Sequence, residues 1–454
     1  MTGQTPPIHE ATIHEATIHE ALWICPVAGE PIANGAMAIQ GGRIAHVGTQ
    51  AELRDLPGVR VRHRGAAAII PGFVNAHTHI ELTILRGFLG DVDFTDWIRR
   101  LVRVKYQHMD REAFAVSARL GAIENLRAGV TAIGDAMDIG TAWEAALEYG
   151  LQGVFYQEVF GPDESVWSES LRGLREKVAR YRSSQTATFR IGISPHAPYT
   201  VSETLYREAG AWAREEDLPV AVHIAESREE TAFVRDGGGP FADALRARQI
   251  AVTARGRNPV AYLDHLGLLR PGALLIHAIE IDRAEIERIR SAGAAVAHCP
   301  KSNALLGHGV APVGDLKQSG IPVGLGSDSV ASNNVVDMFE EMRAAVFHQR
   351  LRAGRVDALS ARDAFRMATL GGAQCLGLDA SLGSLESGKR ADFAVVDLGD
   401  LATQPVYDPV ETMVYSACRA NVRATFLGGM AFNREGSDLV RQAQDIAELL
   451  RRSR

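Results

Sequence analysis

Eight short apolar runs, separated by stretches with helical spacing, constrain this chain more than any other feature. They are AIIPGFVNAH (68–77), VTAIGDAM (130–137), GVFYQEVF (153–160), FRIGISPHAP (189–198), PVAVHIAE (219–226), ALLIHAIEI (273–281), AAVAHCPKSN (294–303) and PVGLGSDS (322–329). Apolar runs alternating with helices give βαβ units and a parallel sheet buried on both faces. Eight such units predict an α/β fold, a (β/α)8 TIM-like barrel over 69–380. An open doubly wound sheet is the alternative, but no GxGxxG follows the first run, which disfavours it.

The flanks read differently. GAMAIQGGRIAHVG near the start carries Gly41-Gly42 between two alternating runs, and RATFLGGMAFN near the end carries Gly428-Gly429 in the same position. A Gly-Gly pair between such runs signals a hairpin. Neither flank has enough strands to stand alone. A small discontinuous β-sandwich domain built from both chain ends, 22–68 plus 381–435, is therefore predicted. Residues 436–454 are predicted as a C-terminal helix and 1–21 as a low-complexity tail. In that tail IHEAT repeats through His9, His14 and His19. A period of five fits neither a helix nor a strand, and no role is assigned to it.

Composition narrows the class. Of 454 residues, 46% are hydrophobic and 23% charged, as in ordinary globular domains. With 48 Lys+Arg against 55 Asp+Glu the net charge is −7, which lacks the basic excess of nucleic-acid binders. No apolar run approaches the ~18 residues of a membrane span, and no signal peptide is visible. The four cysteines, Cys25, Cys299, Cys375 and Cys418, are widely spaced and form no CxxC, so they read as buried thiols in a reducing cytoplasm.

The chemistry gathers at the ends of the predicted strands, where a barrel of this kind builds its active site. Run one ends in His77-Thr78-His79, run four near His196, and run five in His223-Ile224-Ala225-Glu226. Run six ends at His277, run seven in HCPKSN, and run eight in Ser327-Asp328-Ser329. A lone HxH is a weak signal. On a strand, however, residues two apart point to the same side, so His77 and His79 can grip one ion. His223 and Asp328 each follow an apolar strand as further ligands. Three imidazoles and a carboxylate suit Zn²⁺ or Fe²⁺, with a position left for water.

PGFVNAHTH, HIAE, HCPKSN, GSDSVASNN and GSLESGKRADFAVVD together resemble the amidohydrolase superfamily. The likeness is strongest to its mononuclear deaminase branch. That branch includes S-adenosylhomocysteine and methylthioadenosine deaminases, aminodeoxyfutalosine deaminases, guanine and cytosine deaminases, and triazine chlorohydrolases. The resemblance runs over about 22–435. It implies one divalent metal ion, zinc before iron, held by His77, His79, His223 and Asp328. It implies Glu226 as the proton shuttle beside a ring nitrogen and His277 as the group that positions and deprotonates water. His196 would contact the substrate, with Asn303 and Ser332 as pocket residues. Binuclear relatives carry a carboxylated Lys on strand four. FRIGISPHAP has none, so a one-metal site is expected.

The expected partner is a small heterocyclic substrate, with neither nucleic acid nor membrane, and a homo-oligomer is left open. The reaction expected is hydrolytic release of ammonia from a 6-aminopurine nucleoside derivative; removal of chloride or an alkylamine from a triazine, or opening of a cyclic amide, is the alternative. Segment 81–110 is expected to form a polar wall beyond the ring, with Glu81, Arg86 and Trp97 on it. Glu-Leu directly after HTHI is somewhat more similar to aminodeoxyfutalosine deaminases.

Overall fold

The computed structural model describes residues 16–53 and 60–452. His9 and His14 lie outside the described residues. Eight parallel strands form one sheet in chain order: Phe73–Thr78, Val130–Met137, Gln152–Val159, Phe189–Pro195, Val220–Ile224, Ala273–His277, Ala295–His298 and Val323–Leu325. These are strands one to eight of the barrel, and each coincides with one of the eight apolar runs. Strand eight returns to strand one. The Asp328 N–H donates to His77 O (2.9 Å), and the Ser327 N–H to the Asn75 side chain (2.9 Å). All residues of these strands except Gln152 and Arg190 are buried, as expected for a parallel sheet covered on its outer face by helices.

The first apolar run splits. Ala67–Pro71 is a strand of the smaller sheet, paired antiparallel with Phe393–Asp397, and only Phe73–Thr78 enters the barrel. The chain crosses at Gly72, whose N–H donates to Asp392 O (3.0 Å). A Cβ there would lie 2.1 Å from Thr131 Oγ1, so only glycine lets the two sheets approach this closely.

Strands from both chain ends build the smaller domain. It is one eight-stranded mixed sheet containing Thr17–Ile24, Ile32–Gln40, Arg43–Thr49, Arg60–His63, Ala67–Pro71, Phe393–Asp397, Val422–Leu427 and Met430–Ala431. Met37, Ile39, Phe393 and Phe426 of this sheet share one core. Its first strand, Thr17–Ile24, runs through the last copy of the repeat at 18–21, so the expected tail of 1–21 gives way to the sheet from Thr17 onward. His19 is buried there, with its ring edge against Phe393 (5.0 Å) and Phe426 (5.1 Å). Burial, then Arg64 and Arg62, lower its pKa to about 4, so it packs as a neutral aromatic.

Helix Phe94–His108 is capped by Asp93, whose side chain accepts the Asp96 N–H (3.0 Å). The C-terminal helix Ser437–Arg451 packs through Ala443, Ile446 and Leu450 on the cluster that includes Phe94 and Trp97. Among the described residues no helix is long and apolar enough to cross a membrane. The four cysteines are free; Cys25, Cys299 and Cys375 are buried.

Candidate active site

The C-terminal ends of strands one, five, six and eight bring four imidazoles and a carboxylate together. His77 Nε2 lies 3.2 Å from Asp328 Oδ1, and His79 Nε2 lies 3.7 Å from the same oxygen. His223 Nε2 is 3.3 Å from His79 Nε2. Tetrahedral zinc with bonds of about 2.1 Å sets its ligand atoms roughly 3.4 Å apart, so these spacings fit one small ion. His77 Nε2 is buried with no hydrogen-bond partner. A buried polar atom without a partner is costly, and an ion at the centre of the cluster would satisfy it.

Surrounding groups aim each donor. His79 Nδ1 bonds Ala136 O (2.9 Å), leaving Nε2 for the cluster. Asp328 Oδ2 accepts from Ser302 Oγ (2.5 Å) and Ser332 Oγ (3.0 Å), leaving Oδ1 toward the histidines. His277 Nδ1 bonds Asn303 Oδ1 (3.0 Å). Partners of this kind fix ring orientation and tautomer. Burial holds His79 and His223 well below the usual imidazole range, so both are neutral donors. Burial works against ionising Asp328, but the His77, His277 and His79 imidazoles hold its carboxyl well below the usual range. Asp328 (φ 58°), His277 (φ 75°) and Ala225 (φ 52°) all adopt left-handed backbone. Such strain persists where the surrounding structure imposes it, typically at functional sites.

Glu226 sits beside this cluster. Its backbone N–H donates to Glu230 (2.9 Å), and Oε1 lies 3.6 Å from His277 Nε2 and 3.5 Å from His308 Nε2. Burial first, then the Asp328 and Glu230 carboxylates, push its carboxyl well above the usual range. Burial and neighbouring like charges both favour its protonated, neutral form.

These residues open onto a cavity of about 390 Å³ lined by His79, His196, His223, Glu226, His277 and Asp328 at its polar end, a size within the range of small-molecule sites. One face of helix Phe94–His108 covers it through Phe94, Trp97, Ile98, Leu101, Val102 and Lys105. That spacing keeps side chains on one side of a helix. Trp97 and His196 both line the cavity.

Four other expectations change. Glu81 does not face the cavity. After His79 the chain turns into the short helix Ile80–Leu85, and the Glu81 carboxylate accepts the N–H groups of Asp138 (2.8 Å), Ile139 (2.9 Å), Gly140 (2.7 Å) and Ala142 (3.2 Å). It anchors the loop after strand two. Arg86 pairs with Glu124 (2.5 Å) and bonds Asn334 O, also away from the cavity. Asn303 and Ser332 are not among the residues that line the cavity; their side chains bond His277 and Asp328. The wall from segment 81–110 is consequently apolar over most of its length.

The sequence reading missed Lys105, Tyr106, Glu158, Phe160, Tyr199 and His308. Glu158 is the last residue but one of strand three, and a carboxylate near the end of an apolar run was the signal available for it. His308 and Tyr199 come from loops with no such pattern.

The sequence signature of the amidohydrolase family matches residues 68–431. The chain belongs to that family. This amidohydrolase is 35% identical over 409 residues to a 5-methylthioadenosine/S-adenosylhomocysteine deaminase of Nitratidesulfovibrio vulgaris, covering 89% of each chain. It is 32% identical to a 5′-deoxyadenosine deaminase of Methanothermobacter thermautotrophicus, over 92% of this chain and 93% of that one. Among solved structures, a zinc-bound adenosine deaminase from Xanthomonas campestris superposes with a TM-score of 0.87 at 28% identity, over 96% of this chain and 99% of that one.

Proposed function

We propose that this amidohydrolase releases ammonia from a 6-aminopurine nucleoside carrying an apolar or thioether 5′ group. It would do so with one divalent ion held by His77, His79, His223 and Asp328. The observation that carries this reading is Glu226, a buried carboxyl whose surroundings favour its protonated form, placed between the donor cluster and an apolar slot. Deaminating an aminopurine requires a proton on the ring nitrogen next to the amino-bearing carbon as that carbon becomes tetrahedral, and Glu226 supplies one at that boundary.

Zinc is the ion assigned first and iron second, since both accept three imidazoles and a carboxylate. An ion there would lower the pKa of water from 15.7 to about 7, making hydroxide available at neutral pH. His277 is neutral because burial lowers its pKa to about 4. With Nδ1 donating to Asn303, its Nε2 is an acceptor facing Glu226. It is placed to take a proton from water and hold the nucleophile in line. His196 is neutral too, lowered to about 3 by burial, and Thr200 fixes its ring through Nδ1 (2.8 Å). Its Nε2 is left to the substrate.

The apolar wall of Leu82, Phe94, Trp97, Ile98, Leu101 and Leu306 suits a flat ring and a methylthio or deoxy group better than a charged tail. The names of the relatives at 32–35% identity support the same substrate class. Since Glu81 is occupied with backbone amides, its position carries no preference for aminodeoxyfutalosine. The free cysteines support a reducing, cytoplasmic setting.

Ammonia release from 5′-methylthioadenosine, 5′-deoxyadenosine and S-adenosylhomocysteine tests this, with chloride release from a chlorotriazine measured in parallel. Ammonia from the nucleosides is the expected result. Chloride release with no ammonia from any nucleoside would overturn the reading.

A further inference from the structure

A second polar group faces the same cavity, and the chemistry above does not use it. Lys105 and Tyr106 come from the covering helix, Glu158 from the end of strand three, and Asp138 from the residue after strand two. Asp138 is fully engaged. Its carboxylate lies 3.2 Å from Lys105 Nζ and accepts from Tyr106 OH (2.7 Å), and its carbonyl accepts from Lys177 Nζ (2.9 Å). Glu158 is not. Its side chain is 3% exposed, it lines the cavity, and Oε1 is buried without a hydrogen-bond partner, with His196 Nε2 3.9 Å away. Lys105, 8% exposed, also lines the cavity, and an ammonium has three donors to place.

An unpaired acceptor and a cation with spare donors at one end of an otherwise apolar cavity select their ligand by elimination. Asp138 already balances the Lys105 charge, and burial pushes the Glu158 carboxyl up to about 8, so a charged ligand group there would be buried without a free counter-charge. A neutral group that both donates and accepts satisfies both, and vicinal hydroxyls do so at adjacent positions. Resting on the proposed function, we propose that Glu158 and Lys105 bind the 2′,3′-diol of the nucleoside's sugar and make this enzyme selective for ribonucleosides. Glu158 accepts from the hydroxyls, and Lys105 donates to them. The diol thereby replaces the missing partner of Glu158.

The test compares kcat/KM for 5′-deoxyadenosine with that for its 2′,3′-dideoxy counterpart, using the metal-loaded wild-type protein. A site built to bond hydroxyls rejects analogues lacking them strongly, so a preference of about 30-fold or more for the diol is expected. In Glu158→Gln the preference should shrink to within about threefold, mainly through KM, because an amide NH2 replaces one of the two carboxyl oxygens that accept from the hydroxyls. Equal kcat/KM for both nucleosides in the wild type would overturn the proposal while leaving the deaminase reading intact. So would a Glu158→Gln variant that slows both nucleosides equally. No turnover of any nucleoside would overturn the deaminase reading, and this proposal with it. The wild-type comparison needs no variant to fold.

Discussion

Glu226→Gln is expected to lower kcat by about 10²–10⁴-fold, the range for losing a positioned proton donor, while metal content and fold are retained. The amide matches the carboxyl in size. The backbone at 226 stays held by Glu230, and the contacts to His277 and His308 are of a kind an amide can keep. What it cannot do is release a proton to the ring nitrogen and recover it in the next cycle. Steady-state kinetics beside elemental analysis of the same preparation separate the two effects. Wild-type kcat in a metal-loaded Glu226→Gln protein would refute the role.

The second large effect concerns the donor cluster. His223→Ala and Asp328→Ala should each lose most bound metal and, with it, activity, since four donors leave none to spare. Ser332→Ala should be milder, about 10–100-fold in metal affinity, the usual consequence of removing a group that orients a ligand. Ser332 holds the Asp328 oxygen that faces away from the histidines. Measuring metal per chain after dialysis against a graded chelator ranks the three variants. Full occupancy in both His223→Ala and Asp328→Ala would place the ion elsewhere.

The barrel was legible because burial on both faces leaves each strand as a mainly apolar run, and the ligands were legible because most of the polar residues in those runs gather at the mouth, Thr131 and Arg190 near the strand starts aside. The split at Pro71-Gly72 was not, because AIIPGF stays apolar across the passage from one sheet to the other and hydropathy does not register a change of partner strand. Glu81 and Arg86 were misplaced for a different reason. Adjacency to HTH in sequence suggested adjacency at the mouth, but helix Ile80–Leu85 carries both away from it. Asn303 and Ser332 were found in the right neighbourhood, yet their role depends on which atom each one bonds, and spacing does not encode that. Lys105 and Tyr106 arrive from a covering helix, where a charged residue reads as solvent-facing until the strand opposite it is known.

The central claim is that the slot beyond Glu226 receives a purine with its modified sugar. The most direct measurement is kcat/KM for 5′-methylthioadenosine against free adenine on the metal-loaded enzyme. On the proposed reading, the apolar wall of Phe94, Trp97, Ile98 and Leu101 packs on the 5′ group as well as on the ring, and free adenine lacks that group. The nucleoside should therefore be favoured by at least tenfold, about 1.4 kcal/mol of transition-state binding. Adenine turned over tenfold more efficiently than the nucleoside would contradict the account.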